Sequence, residues 1–475
     1  MNDSSAPARR GNPVLATEKV NKLIWKFAIP AIISGLVSAL YNVVDQIFIG
    51  QGIGDLGMAA TNVSFPLVTI STSLAFLFGV GGAAFFNLSV GRGEYEKASK
   101  IAGNAISSML IMGVFVSIVA TVFLRPLLQA FGATDLIMPY AVAYTMITNI
   151  GIPFHIFSTG ASHLIRADGS PRYSMLVMLS GAIFNLIFDP IFLFVFGMGI
   201  QGIALATILG QLLSSIIAAV YFIRRFKTVP LNLEHLRTCF PVTRRICALG
   251  AASCFNQFSL TVVQIVKSNT LRYYGAKSIY GSEIPLAAVG AISKLMVFFA
   301  TIMWGIIQGC QPIISYNYGA RNYSRVIETY IREIAYTTLI CFFSFICYQA
   351  FPRPLLSIFG SDSELFYDFA VRYMRIFLLA TFINNIQPAT SNFFTSIGKA
   401  QMGLVMSLTR QILLLVPLMV ILPAFFGFDS IMWSGPISDG LAAVLAVILS
   451  LREIKIINKQ MAVSPAPTEE EEAMV

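Results

Sequence analysis

Residues 125 to 132, Arg-Pro-Leu-Leu-Gln-Ala-Phe-Gly, recur at 353 to 360 as Arg-Pro-Leu-Leu-Ser-Ile-Phe-Gly, with six of eight positions identical at an offset of 228. The same offset pairs Ala59 and Ala60 with Ala287 and Ala288, Gly81 with Gly309, Gly91 with Gly319 and Tyr95 with Tyr323, and it drifts to 230 by Gly210 and Gly440. The chain therefore holds two tandem copies of one unit, and whatever it folds into must be built twice from one plan.

What that plan can be follows from the solvent. Hydrophobic residues make up 56% of the chain, charged residues 12%, and mean hydropathy is +0.74, outside the range of ordinary water-soluble domains. Apolar runs alternate with short charged or Gly/Pro-marked breaks, and each is long enough to cross about 30 Å of hydrocarbon as a helix. Twelve are expected: 23–49, 56–86, 98–124, 136–161, 171–196, 200–224, 244–272, 286–316, 327–350, 364–391, 401–426 and 431–454. Six per copy is an even number, so both copies enter the membrane from one side and form a parallel repeat. The expected fold is an all-α membrane protein of two six-helix bundles, 23–225 and 244–457. A connector at 226–243 joins them, and disordered segments at 1–22 and 458–475 flank them.

Basic residues set the orientation. The N-terminus, the connector with Arg224, Arg225, Lys227, Arg237, Arg244 and Arg245, and the breaks holding Arg92, Arg166, Arg321 and Arg410 all belong to one side. That side collects 24 of the 32 Lys and Arg. It is expected to be cytoplasmic, with both termini on it. The net charge of +9 is thus explained by lipid and insertion rather than nucleic acid. Cys239, Cys247, Cys254, Cys310, Cys341 and Cys347 have neither metal-ligand nor redox spacing and read as small apolar residues. No cleavable signal precedes the first span, and no clustered metal ligands or nucleophile–base pair suggests an enzyme.

A carboxylate in hydrocarbon needs a reason. Asp45 in the first span and Asp189 in the fifth lie at matching depths, roughly 8 and 12 Å from the outer face at 1.5 Å per residue. Asn185 precedes Asp189 by one helical turn, and Thr207 in the sixth span and Tyr144 in the fourth fall in the same layer. Under the repeat, Asn185 and Asp189 map onto Leu414 and Leu418, and Asp45 onto Gln264 or Thr270. The acids thus belong to one copy, which favours a function confined to it over an architectural role.

Ala28-Ile29-Pro30, then Tyr41-Asn-Val-Val-Asp45-Gln-Ile-Phe-Ile-Gly50, Asn185 to Asp189-Pro190, and two six-helix halves resemble the multidrug and toxic compound extrusion (MATE) family, in its bacterial MepA-like and DinF-like branch. The similarity spans about residues 15 to 455. The resemblance implies a V-shaped pair of bundles and a proton or cation site in the N-terminal one, carried onto Asp45, Asn185, Asp189 and Thr207, with Tyr144 placed by count alone. The sodium-driven branch also uses acids on helices 7 and 10. Here the seventh offers only Asn256, Gln257 and Gln264 and the middle of the tenth only Asn384 and Asn385, so no sodium site is expected in the second half.

The implied function is secondary antiport: export of lipophilic, mostly cationic drugs or toxic metabolites in exchange for H+ or Na+, with no other cofactor, by a monomer in the bacterial inner membrane. Two carboxylates sharing a desolvated pocket cannot both ionise cheaply and can hold a proton; with Asn185 and Thr207 they can instead form an oxygen cage for Na+. A central cleft rich in Phe and Met suits flat organic cations, with Phe65, Gln264, Lys294, Met296, Met303 and Trp304 as candidate lining. Lys267 and Lys294 are the buried cations of the second half, His155 and His163 read as packing contacts, Asp368 is expected to pair with Arg372, and Asp439 has no assigned role. The alternative is a lipid-linked oligosaccharide flippase of the same superfamily, which would want more buried Arg and Lys for pyrophosphate.

Overall fold

The computed structural model describes residues 13–359 and 363–463, and among them every regular element is helical. In hydrocarbon a backbone must satisfy its own N–H and C=O groups, which leaves the helix as the solution for runs this long. In chain order the spans are α1 (Val20–Gly52), α2 (Asp55–Gly91), α3 (Tyr95–Val122), α4 (Met138–Ala167), α5 (Pro171–Pro190), α6 (Gly199–Arg224), α7 (Phe240–Gly275), α8 (Glu283–Gly319) and α9 (Tyr323–Ala350). Then follow α10 (Glu364–Phe377), α11 (Ile386–Ser396), α12 (Ala400–Leu408), α13 (Val416–Phe426) and α14 (Ser434–Val463). Helical residues cover most of each expected span, though not always as one unbroken helix. Nine helices among the described residues are long and apolar enough to cross a membrane by themselves.

The repeat persists in the backbone. α2 and α8 are both 37 residues long, α3 and α9 both 28. The turns between them reach positive φ at equivalent positions, 75° at Gly93 and 60° at Arg321. The turns after α4 and α11 do so again, at Gly169 (82°) and Gly398 (84°). The copies diverge at their fourth spans. α4 runs unbroken for 30 residues. Its counterpart is interrupted between α10 and α11, with one short 3-10 turn at Thr381–Ile383, so 364–391 is not one continuous helix as expected.

Each half has its own apolar core, one around Phe78, Ile101, Met109, Leu164 and Tyr221, the other around Ile292, Tyr348, Phe369, Tyr373 and Met419. A third cluster joins them at the end that carries the termini. There Leu23, Phe27 and Ala28 of α1 pack with Ile306, Cys310 and Ile313 of α8 and Tyr330 of α9. The approach of helices is close enough to require glycine. A Cβ on Gly91 would lie 2.1 Å from the Tyr316 carbonyl oxygen, and one on its repeat partner Gly319 would lie 2.3 Å from that of Leu88. Small residues allow this backbone-to-backbone packing, which lipid does not drive. Arg166 also bridges the halves, donating from Nη1 to Gln308 Oε1 at 2.9 Å.

Two expectations about the ends change. Residues 13–22 are not disordered: a short helix (Pro13–Thr17) precedes α1, Leu15 is buried, and its carbonyl accepts from Asn317 Nδ2 at 3.0 Å and Arg325 Nη2 at 3.3 Å. Captured carbonyls and a buried Leu offset the ordering entropy of this segment. The last helix continues to Val463, while residues 1–12 and 464–475, with the Glu469 to Glu472 run, lie outside the described residues. The connector is docked: Asp168 accepts from Tyr221 Oη at 2.5 Å and from the backbone N–H of Thr228 at 2.9 Å, and Asn104 Oδ1 accepts from the Cys239 N–H at 2.5 Å.

Candidate functional site

Six side chains from four helices of the N-terminal half converge near the end opposite the termini. α1 supplies Tyr41 and Asp45 one turn apart, α5 supplies Asn185 and Asp189, α6 Thr207 and α4 Tyr144. α5 and α6 are in backbone contact, since a Cβ on Gly210 would lie 2.3 Å from Asn185 Oδ1 and 2.9 Å from the Gly181 carbonyl oxygen. The hydrogen-bond network orients the Asn185 amide. Its nitrogen donates to the carbonyls of Ala206 (3.1 Å) and Gly181 (3.2 Å), and its oxygen accepts from Tyr41 Oη at 3.2 Å. The Thr207 hydroxyl stands 3.5 Å from the same end of that amide and also faces Tyr144.

The acids are what these neighbours surround. Asp189 is 1% exposed and Asp45 half-buried, and each keeps one buried carboxylate oxygen, Oδ1, without a hydrogen-bond partner. The two lie within electrostatic range of each other and of Tyr41 and Tyr144. Neither pairs with Lys or Arg among the described residues. After Asp189 the helix passes through Pro190 into a wide π turn, Ile191–Val195, a local irregularity that often accompanies functional sites. Uncompensated acceptors beside hydroxyls and an amide oxygen form a place for a proton or a small hard cation.

The structure thus brings together Asp45, Asn185, Asp189, Thr207 and Tyr144, and adds Tyr41. The sequence carried that signal: Tyr41 stands one helical turn before Asp45, on the same face.

The candidate cleft residues divide. Phe65, Gln264 and Lys294 are exposed, with Lys294 Nζ 6.0 Å from the Phe359 ring centroid, so Lys294 is not a buried cation. Met303 is buried and packs with half-buried Trp304 against Cys341 and Ala389 in the second half, and half-buried Met296 packs against that half's main core. Lys267 is half-buried and donates to Ser293 Oγ at 3.2 Å. His155 bonds Thr72 Oγ1 at 3.1 Å, and His163 stacks edge-on against Phe76.

The acids of the second half require correction. Asp368 does not pair with Arg372; Tyr280 Oη donates to Asp368 at 2.6 Å, while Arg372 is drawn to Asp429 at 2.8 Å. Asp439 is buried and pairs with Arg410 at 2.5 Å. Arg410 therefore belongs to the interior of the second half rather than to a basic surface loop. Glu333 on α9 is 0% exposed. The halves thus differ in where their interior acids sit, not in whether they have them.

Comparisons with known proteins agree with this architecture. The MatE family model matches residues 30–191 and 253–421. The multidrug export protein MepA of Staphylococcus haemolyticus is 24% identical over 440 residues, covering 92% of this chain and 95% of that protein. Its namesake in Staphylococcus saprophyticus is 23% identical over 433 residues, covering 90% and 93%. A solved outward-facing conformation of a multidrug resistance MATE family transporter of the MOP superfamily superposes with a TM-score of 0.87 at 21% identity, over 96% of this chain and 99% of that one. With one model matching most of the chain, in two blocks that fall one in each copy of the repeat, this protein belongs to the MatE family of membrane transporters.

Proposed function

We propose that the chain is a secondary active antiporter that exports lipophilic, mostly cationic drugs or toxic metabolites, driven by H+ or Na+ binding at Asp45 and Asp189. The observation that carries this reading is the pair of buried, uncompensated carboxylate oxygens gathered with Tyr41, Tyr144, Asn185 and Thr207. The relatives named as multidrug export proteins supply the cargo class. The termini and the basic connector lie in the cytoplasm, and the acidic cluster faces the outer leaflet.

Coupling follows from α1. That helix carries Asp45 near one end and Ala28, part of the cluster joining the halves, roughly 25 Å away at 1.5 Å per residue. Pro30 lies inside the helix between them, where a missing N–H weakens the ladder and permits bending. Ser34 Oγ donates to the Pro30 carbonyl at 2.7 Å in the same turn. Neutralising the carboxylates removes the repulsion between α1 and α5, so cation occupancy favours one packing of α1 over another. A ligand shifts such an equilibrium only by its differential affinity for the two states.

The test is efflux of a fluorescent lipophilic cation from vesicles holding the full chain, with proton and sodium gradients imposed separately. Asp45→Asn and Asp189→Asn are each expected to abolish gradient-driven efflux while the protein accumulates folded in the membrane. Wild-type efflux in both variants would remove the coupling site from the proposal.

A further inference from the structure

Glu333 has no part in the cluster above. It lies on α9 about ten residues from the helix start, roughly 15 Å along the axis, in the half where no carboxylate site is expected. It is 0% exposed and neither carboxylate oxygen has a hydrogen-bond partner. The Asn392 amide of α11 and the Cys310 thiol of α8 face it, and one N–H of that amide donates to the Ile307 carbonyl at 3.2 Å. On its own helix, Tyr330 Oη shares a 2.7 Å bond with Thr390 Oγ1, and Thr337 Oγ1 donates to the Glu333 carbonyl at 2.7 Å.

Among the described residues no cation compensates it. Arg325 is held by the carbonyls of Leu15 and Glu18, and Arg332 pairs with Glu328. From the neighbouring helices, Lys22 and Lys26 of α1 pair with Glu18, and Lys294 of α8 is exposed beside Phe359. Arg372 of α10 pairs with Asp429, while Asp439 and Glu453 of α14 pair with Arg410 and Lys399. An ionised carboxylate buried in this way is strongly disfavoured, while a carboxylic acid is tolerated. A metal cation is the poorer fit, because hard cations take six or more oxygen ligands and the groups that face the carboxylate are one thiol and one amide.

A second observation marks the same place. Between α10 and α11 the tenth span changes from α-helix to turns and a 3-10 turn, and there Asn385 Nδ2 donates to Thr337 Oγ1 and Thr338 Oγ1, each at 2.9 Å, while its own Oδ1 is buried without a partner. Irregular backbone at membrane depth is tolerated where it lines a site or cavity. The first copy of the repeat has neither feature: α4 is continuous, and the position equivalent to Glu333 is Ala105.

We propose that Glu333 is a proton-binding site of the C-terminal half, a neutral carboxylic acid while the two halves are packed together, which loses its proton when they separate. In that step the O–H bond breaks, the electron pair stays on the carboxylate, and the proton passes to water entering from the end that carries the termini. Cys310 and Tyr330, which flank Glu333, belong to the apolar cluster that joins α1 to α8 and α9, so a charge on Glu333 opposes closure. The inference does not depend on the role proposed for Asp45 and Asp189.

The test uses the full chain in lipid nanodiscs. Infrared spectroscopy at neutral pH is expected to show a protonated-carboxyl band that Glu333→Gln removes completely and that an Asp45→Asn/Asp189→Asn double variant keeps. Raising the pH should abolish the band together with the hydrogen-exchange protection of residues 303–317, and in Glu333→Gln that protection should no longer track the band's titration range. A Glu333→Gln spectrum identical to wild type overturns the proposal. So does loss of the band on replacing choline chloride with sodium chloride, which would make this a sodium site. Failure of Glu333→Gln to fold also overturns it, since an amide would then not substitute for a neutral acid.

Discussion

Removing the carboxylate of Asp439 strands Arg410 as a cation inside the C-terminal half. The contact runs from Arg410 Nε to Asp439 Oδ1 at 2.5 Å, between side chains 13% and 4% exposed, so bulk water cannot solvate the charge left behind. Two unit charges about 4 Å apart attract by about 4 kcal/mol at an effective dielectric near 20. Both were desolvated to reach this geometry, so the net worth of the pair against an apolar replacement is small even though breaking it is costly. A double-mutant cycle separates the two effects. Asp439→Leu alone and Arg410→Met alone are each expected to destabilise the fold by about 3–5 kcal/mol, and the double variant to return to wild-type stability or exceed it by about 1–4 kcal/mol. Unfolding of the purified chain in detergent, followed by circular dichroism, measures all four corners. Additive losses, or a harmless single variant, would refute the reasoning, because the charges would then have another route to solvation.

Two further outcomes follow from the geometry. Gly91→Ala places a methyl where only 2.1 Å separates it from the Tyr316 carbonyl oxygen; it is expected to hold the halves apart, which cysteine cross-linking across the α2–α8 crossing would detect as lost yield, with unchanged yield against the argument. Tyr41→Phe removes the hydroxyl that donates to Asn185 and is expected to weaken cation binding by up to about tenfold, the equivalent of one ordinary hydrogen bond; isothermal titration with sodium, or the pH dependence of binding, measures it, and an unaltered affinity would place Tyr41 outside the site.

Most of the fold was legible because lipid leaves a chain few options: a long apolar run has to be a helix, and its ends are marked by charge. Asp45 and Asp189 were legible for the same reason, standing in otherwise apolar sequence. Glu333 was not, because Glu328 and Arg332 precede it and make it look like part of a wet helix end. α9 buries Val326, Thr329, Tyr330, Glu333 and Thr337 along one face, while Glu328 and Arg332 pair with each other on another. Arg410 misled in the same way, its burial depending on a partner 29 residues ahead. The break in the tenth span had a local signal in Asn384, Asn385 and Pro388, but polar residues in a span also occur in intact helices. Only tertiary partners decide between the two.

At the tips of α2 and α8 Gly91 and Gly319 meet backbone to backbone, and further along the same crossing Gln311 Nε2 donates to the Val80 carbonyl at 3.3 Å. Each helix is 37 residues, a rod about 55 Å long at 1.5 Å per residue. Such a joint behaves as a smooth fulcrum at the short end of a long lever. A tilt of about ten degrees there sweeps the distant tip through roughly 10 Å, so a modest energetic bias at the joint moves the far ends of both helices a long way.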